Sequence, residues 1–147
     1  MCYSLYISTT SEHDLSELNS DLCQFEKYVG PEDQEIVDLL AHPSKWYLSV
    51  YGSPGCSCHF RHKLGGDVPP YFEEPQEWAN EDSDEIESTL KAYDHFKWIV
   101  DAGHSLDIVD VWTETKAEQV MVMEVSLGKI SREAFHFIED VRFVVSK

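Results

Sequence analysis

From Cys2 to Thr9 the chain alternates, with Tyr3, Leu5 and Ile7 on one face and Ser4, Tyr6 and Ser8 on the other, which is the period of a strand. Thr10 or Ser11 can cap a following helix, in which Leu15, Leu18, Leu22 and Phe25 recur at helical spacing until Gly30-Pro31 interrupts it. Pro31 suits the first turn of a second helix, whose apolar stripe of Ile36, Val37, Leu39 and Leu40 stops before His42-Pro43. Alternation returns from Trp46 to Tyr51, and Gly52-Ser53-Pro54-Gly55 reads as a turn. The pattern therefore predicts a hairpin with Cys56 to His62 on its return strand. On such a strand Cys56, Cys58 and Phe60 share one face, and Ser57, His59 and Arg61 the other. Gly65-Gly66 and the proline-rich stretch from Pro69 to Pro75 predict an extended loop.

The clearest element is a helix from about Ser83 to Ala102. Ile86, Leu90, Tyr93, Phe96, Lys97 and Val100 follow its period, Asp82, Asp84 and Glu85 suit its positive end, and Gly103 suits its C′ position. Leu106 to Thr113 and Gln119 to Leu127 read as two strands around a turn at Glu114 to Glu118, with Asp107 and Asp110 oriented oppositely on the first. Ser131 can cap a short helix to about Glu139, and Val141 to Val145 closes the chain as a strand. This order predicts a single α+β domain over residues 1–147, with a mainly antiparallel sheet and helices packed on one face. The run of elements through the first half is that of a ferredoxin-like sandwich, and a variant of that fold is the expected topology.

Composition supports a folded core. The chain has 147 residues, 42% of them hydrophobic and 12% aromatic, which suffices for a domain without disulfides. Its start lacks the basic, apolar pattern of a signal peptide, no stretch is apolar enough to span a membrane, and four unevenly spaced cysteines suggest reduced thiols. A soluble cytoplasmic protein is the expectation.

Charge narrows the function classes. The formal net charge is -17, and a field of that sign repels phosphate backbones, so direct nucleic-acid binding is not expected. The same field draws in a basic protein, and a non-catalytic binding module for a basic partner is the leading functional expectation. Its contact would be an aromatic patch with an acidic rim, formed by Tyr71, Phe72, Glu73, Glu74, Glu77 and Trp78.

Of the four stretches 1–55, 56–72, 73–95 and 96–147, the second alone carries more bases than acids, and within it Cys56-Ser57-Cys58-His59-Phe60-Arg61-His62-Lys63 gathers thiols, imidazoles and positive charge. Cys56, Cys58, His59 and His62 form a ligand set that zinc accepts. However, four ligands within seven residues are crowded for one ion, and a strand sends His59 away from the cysteines. Arg61 and Lys63 would favour thiolate, which makes a reactive cysteine a second reading, and a metal- or thiol-dependent enzyme is the alternative to the binding module. A core strand comes before both, because free cysteine packs as a small apolar residue and Phe60 marks its side as buried. No phosphate-cradling loop, nucleophile elbow or zinc-protease helix is present, and no catalytic constellation is identifiable.

Overall fold

The computed structural model of the chain describes residues 2–50, 56–64, 72–76 and 80–147. The Gly52–Gly55 turn, Gly65-Gly66 and the Pro69–Tyr71 stretch lie outside these residues, as do Glu77 and Trp78. The described chain forms an α+β fold around a six-stranded sheet in the order β2-β3-β1-β5-β8-β6. The strands are β1 (Tyr3–Thr9), β2 (Gln24–Lys27), β3 (Ser44–Ser49), β5 (Leu106–Trp112), β6 (Met121–Ser126) and β8 (Val141–Ser146). The segments β4 (His62–Lys63) and β7 (Phe137–Ile138) pair in parallel as a separate small ladder. No helix among the described residues is long and apolar enough to cross a membrane.

The two central strands, β1 and β5, pair antiparallel over their whole length, from Tyr3↔Trp112 to Thr9↔Leu106. This register puts Leu5 and Ile7 with Leu106 and Ile108 on one face of the sheet, under the long helix α2 (Ser83–Asp101). Phe25, Trp46, Leu48, Phe96, Ile99, Phe135, Phe137 and Phe143 complete that core. A buried ring such as Phe96 or Phe143 is worth ~3–5 kcal/mol against truncation to alanine. The opposite face carries a smaller cluster, in which Tyr6, Tyr47, Val109 and Val111 meet Ile36, Val37 and Leu40 of the short helix α1 (Gln34–Val37) and the turn after it. The long helix thus packs on one face as expected, and the short one packs on the other. The run β2-β3-β1-β5, antiparallel throughout, has the strand order of a ferredoxin-like sandwich, to which β8 and β6 are added beyond β5; the short helix, between β2 and β3 and on the face opposite α2, departs from that fold.

Helix α2 has both expected end signals. The Asp82 side chain accepts from the backbone N–H groups of Asp84 and Glu85, and Gly103 follows the last turn at φ +93°. Its buried stripe is rotated from the expected one and includes Ser88, Thr89, Ala92 and His95. Thr89 is buried because its hydroxyl accepts the Arg61 backbone N–H at 2.7 Å while donating to the Glu85 carbonyl at 2.8 Å.

Other elements differ from the sequence pattern. In place of the first helix there is a 3₁₀ turn at Leu15–Leu18, followed by β2. Asn19 diverts the chain there. Its carboxamide accepts from Phe25 N at 2.6 Å and donates to Phe25 O at 3.3 Å, closing a loop that competes with helix. The strands β5 and β6 do not form a hairpin, because β8 lies between them, antiparallel to β5 and parallel to β6. With Val141, Phe143 and Val145 buried, β8 suits an interior position, whereas β6 exposes Met121 and Val122 and suits an edge. The expected helix after Ser131 shrinks to a 3₁₀ turn at Arg132–Ala134 and then β7. Ala134, Phe135, His136, Phe137 and Ile138 are all buried, and five consecutive buried residues cannot share one helix face.

Candidate functional site

The Cys56–Lys63 segment is not the return strand of a hairpin. It crosses the end of the sheet where β1 and β3 diverge after Leu5↔Leu48, and only His62 and Lys63 enter a ladder, with β7 rather than β3. Ser57 fills the divergence. Its backbone N–H donates to Tyr3 O at 3.1 Å, and its hydroxyl accepts from Leu5 N at 3.0 Å and donates to Leu48 O at 2.5 Å. Because Ser57 points inward and is fully buried, its two neighbours project to the other side. The expected pairing of Cys56 with Cys58 on one side is therefore present. Phe60 does not join them, because the chain turns at Cys58-His59, and it packs instead against Phe137 in the core.

The third member of the cluster is Cys2, immediately before β1. Thr113, at the end of β5, holds it through backbone and side chain: Thr113 N donates to Cys2 O at 2.9 Å, and the Thr113 hydroxyl accepts from Cys2 N at 2.8 Å and donates to Cys2 O at 2.8 Å. The sulfurs of Cys2, Cys56 and Cys58 all lie within 4.8 Å of one another and are half-buried. The Cys58 sulfur also accepts the Tyr3 N–H at 3.3 Å. Burial raises the Cys56 thiol, but hydrogen bonds with Cys58 and Cys2 outweigh it and hold this group below the ordinary thiol value. Burial, with the neighbouring Cys56 sulfur, pushes Cys58 up to about 12. The surroundings thus favour the charged form of Cys56 over that of Cys58.

The two histidines of the sequence-derived ligand set stand apart from this cluster. His59 is exposed. His62 is held elsewhere: Nδ1 faces Asp110 Oδ2 at 2.6 Å, Nε2 faces the Ser57 carbonyl at 2.7 Å, and the ring lies flat on Tyr3. Burial disfavours the imidazolium, yet the Asp110 carboxylate outweighs that and raises the His62 pKa. Asp110 Oδ1 is buried without a hydrogen-bond partner among the described residues. Arg61 was expected on a solvent face but is buried, and its guanidinium grips Glu81 at 2.6 and 3.0 Å. Lys63 reaches the same carboxylate at 3.1 Å. Both bases of the segment are therefore committed to Glu81, whose carboxyl their hydrogen bonds hold down to about 2. They are not directed at the thiols.

Of the expected partner-binding patch, Phe72 turns inward, stacked on Phe135 at 5.7 Å and edge-on to Phe143 at 5.6 Å, because the core offers it two aromatic faces. Glu73 and Glu74 are exposed, and Tyr71, Glu77 and Trp78 lie outside the described residues.

No family model, curated protein or solved structure matches this chain. The functional argument rests on the geometry of the chain itself. Sequence reasoning missed Cys2, and it set Asp110 aside without a partner, missing its pairing with His62. A carboxylate in the middle of the apolar run Leu106 to Trp112 signals a buried charge in need of a partner, whereas Cys2 carries no such local signal.

Proposed function

We propose that this protein binds a thiophilic metal ion through Cys2, Cys56 and Cys58. The observation that carries the reading is the gathering of three sulfurs, from two distant chain segments, within 4.8 Å of one another. A zinc ion bonded to sulfur at about 2.3 Å in tetrahedral geometry needs sulfurs roughly 3.8 Å apart. Movement of less than an ångström or so, taken up by χ1 rotation, would bring the three into range. Soft thiolates select zinc(II) or copper(I) over magnesium or calcium, and three protein ligands leave a fourth zinc position for water or an incoming ligand. Half-burial keeps that position reachable from solvent while the fixed backbones at Ser57 and Thr113 hold two of the ligand segments. This reading replaces the imidazoles of the sequence-derived set with Cys2 and leaves His62 to its carboxylate.

The test uses untagged protein in reduced form. Elemental analysis should find about one zinc or copper per chain, and cobalt(II) should produce a thiolate-to-metal charge-transfer band. Cys2→Ser, Cys56→Ser and Cys58→Ser should each weaken binding by ten- to a hundredfold or more, while His59→Ala leaves it unchanged. Absence of bound metal together with absence of a cobalt charge-transfer band would overturn the reading.

A further inference from the structure

A second site lies on the sheet face opposite α2. The β1–β3 register sets Tyr6 beside Tyr47, and the chain leaving β2 adds Tyr28, whose backbone N–H donates to Lys45 O at 3.0 Å. Gly30 at φ +68° and Asp33 at φ +52° then fold the Tyr28–Asp33 loop back toward the sheet. The result is a cleft of about 220 Å³ with three tyrosines in its wall. The Tyr6 ring packs against both others, 5.7 Å from Tyr28 at 84° and 5.2 Å from Tyr47 at 56°.

Two of the phenol groups are satisfied within the cleft lining, Tyr6 donating to Asp33 Oδ2 at 2.7 Å and Tyr28 to the Glu32 carbonyl at 2.6 Å. Tyr6 and Tyr47 are buried and form the back of the cleft, and the half-buried Tyr28 offers the more open ring. The Tyr47 hydroxyl is buried with no hydrogen-bond partner among the described residues. Charge around the cleft is negative, from Glu26, Glu32 and Asp33. Lys27, the one basic lining residue among the described residues, places its ammonium 4.8 Å from the Trp46 ring centroid, and Trp46 belongs to the core on the other face.

The geometry points to a binding site for an alkylated ammonium group, either a methylated lysine side chain of a basic protein or a free quaternary ammonium compound. Aromatic faces attract a cation through their quadrupole, and nearby carboxylates add to that attraction. An unmodified ammonium would have to give up strong hydration to contact the rings, and is held as well by staying hydrated beside the rim carboxylates. Methyl groups lessen that cost and fill the apolar walls while the charge remains. The cleft is smaller than the ~300–1,000 Å³ typical of sites for drug-sized ligands, as befits one headgroup. Val29, 89% exposed at the mouth, offers apolar contact to whatever carries it. This site is independent of the cysteine cluster and of its metal.

The test is an NMR titration of the reduced full chain, following the tyrosine ring signals. The probes are choline, its uncharged carbon isostere dimethylbutanol, a basic peptide carrying one trimethyllysine, and the same peptide unmodified. Choline or the methylated peptide should shift Tyr6, Tyr28 and Tyr47 saturably, with the isostere and the unmodified peptide at least about tenfold weaker. Tyr28→Ala should weaken binding by about tenfold, as expected for loss of one cation–π wall. Asp33→Asn should weaken it severalfold, and asparagine tolerates the left-handed conformation, so the loop is retained. A methylated peptide that binds more tightly than choline identifies a protein source, and choline binding as tightly or more so identifies a free compound. Absence of saturable shifts with both cations, equal binding of the isostere, or unchanged binding in both variants would overturn the proposal.

Discussion

The imidazole of His62 lies flat on the ring of Tyr3, with centroids 3.9 Å apart and planes 6° from parallel. Tyr3 is also the residue whose backbone N–H meets the Cys58 sulfur. One short stretch of β1 therefore supports the thiol cluster with its backbone and a buried ion pair with its ring.

That pair should make stability fall at alkaline pH. His62 is raised above its ordinary 6.5 because, against the cost of burial, Asp110 and the Ser57 carbonyl both favour the protonated ring. The folded protein then binds more protons than the unfolded chain above 6.5, so the stabilisation is complete below 6.5 and is lost as pH climbs through the raised folded value. Urea unfolding at a series of pH values should show this decline, and His62→Gln should flatten it. The same variant should also destabilise the fold at neutral pH, by up to about 3–5 kcal/mol, since burial already raises the Asp110 carboxyl and His62 is what favours its charged form. A wild-type slope equal to that of the variant would show that His62 does not hold its proton.

On the acid side His136 acts in the opposite sense. Burial lowers it from 6.5 to about 4, against a weaker opposing contact with the Phe137 carbonyl. Here the folded protein binds fewer protons than the unfolded chain, so stability rises with pH between about 4 and 6.5 and is lost as pH falls through that window. The full effect is on the order of 3 kcal/mol. His136→Phe, a ring of similar size beside Phe72, should remove much of the dependence between those two pH values. If the variant retains the wild-type profile there, the acid loss comes from other groups.

What could be read from the sequence was local. The alternation of β1, β5 and β8 and the two signed ends of α2 specify those elements without reference to the rest of the chain. The first helix failed because Leu15, Leu18, Leu22 and Phe25 have helical spacing, yet one carboxamide, Asn19, bonds both backbone groups of Phe25. The placement of β8 between β5 and β6 is a choice of partner across the sheet, which no window of residues encodes. The same division runs through the site. Cys56 and Cys58 share a side because Ser57 is between them, a matter of alternation, whereas Cys2 joins them only through the contacts of β1 with Ser57 and of Cys2 with Thr113.

The three thiols should differ in reactivity in the metal-free, reduced protein. Hydrogen bonds with Cys58 and Cys2 outweigh the effect of burial and hold Cys56 below the ordinary thiol value, and the thiolate is the reacting form. Cys58 is pushed up to about 12 by burial and by Cys56, and Cys23 is pushed up to about 12 by burial in the core. Brief iodoacetamide treatment at neutral pH followed by peptide mass mapping should find Cys56 modified several times faster than Cys58, with Cys23 protected. Cys58→Ser should retain much of the preference, since serine can still donate, whereas Cys58→Ala should slow Cys56 modification. Modification of Cys58 ahead of Cys56 would mean that the thiolate lies on the other sulfur.

Ser57 offers the sharpest link between fold and site. Its hydroxyl joins Leu5 N to Leu48 O where β1 and β3 part, and its burial projects Cys56 and Cys58 to the other side. Ser57→Ala leaves a buried N–H and a buried carbonyl without this partner, at about 1–3 kcal/mol for each group that stays unsatisfied. Ser57→Thr keeps the hydroxyl but must fit an extra methyl into a fully buried position, an overpacking cost of about 1–3 kcal/mol. Stability alone does not distinguish the two substitutions, but the metal site does. Alanine loosens the segment that carries two of the three sulfurs, so cobalt(II) affinity should fall by tenfold or more even under conditions where the variant is fully folded. Threonine should preserve most of that affinity, because the hydroxyl still fixes the segment to both strands. Equal cobalt affinity in wild type and the folded alanine variant would mean that Cys56 and Cys58 are positioned by something other than the Ser57 bridge.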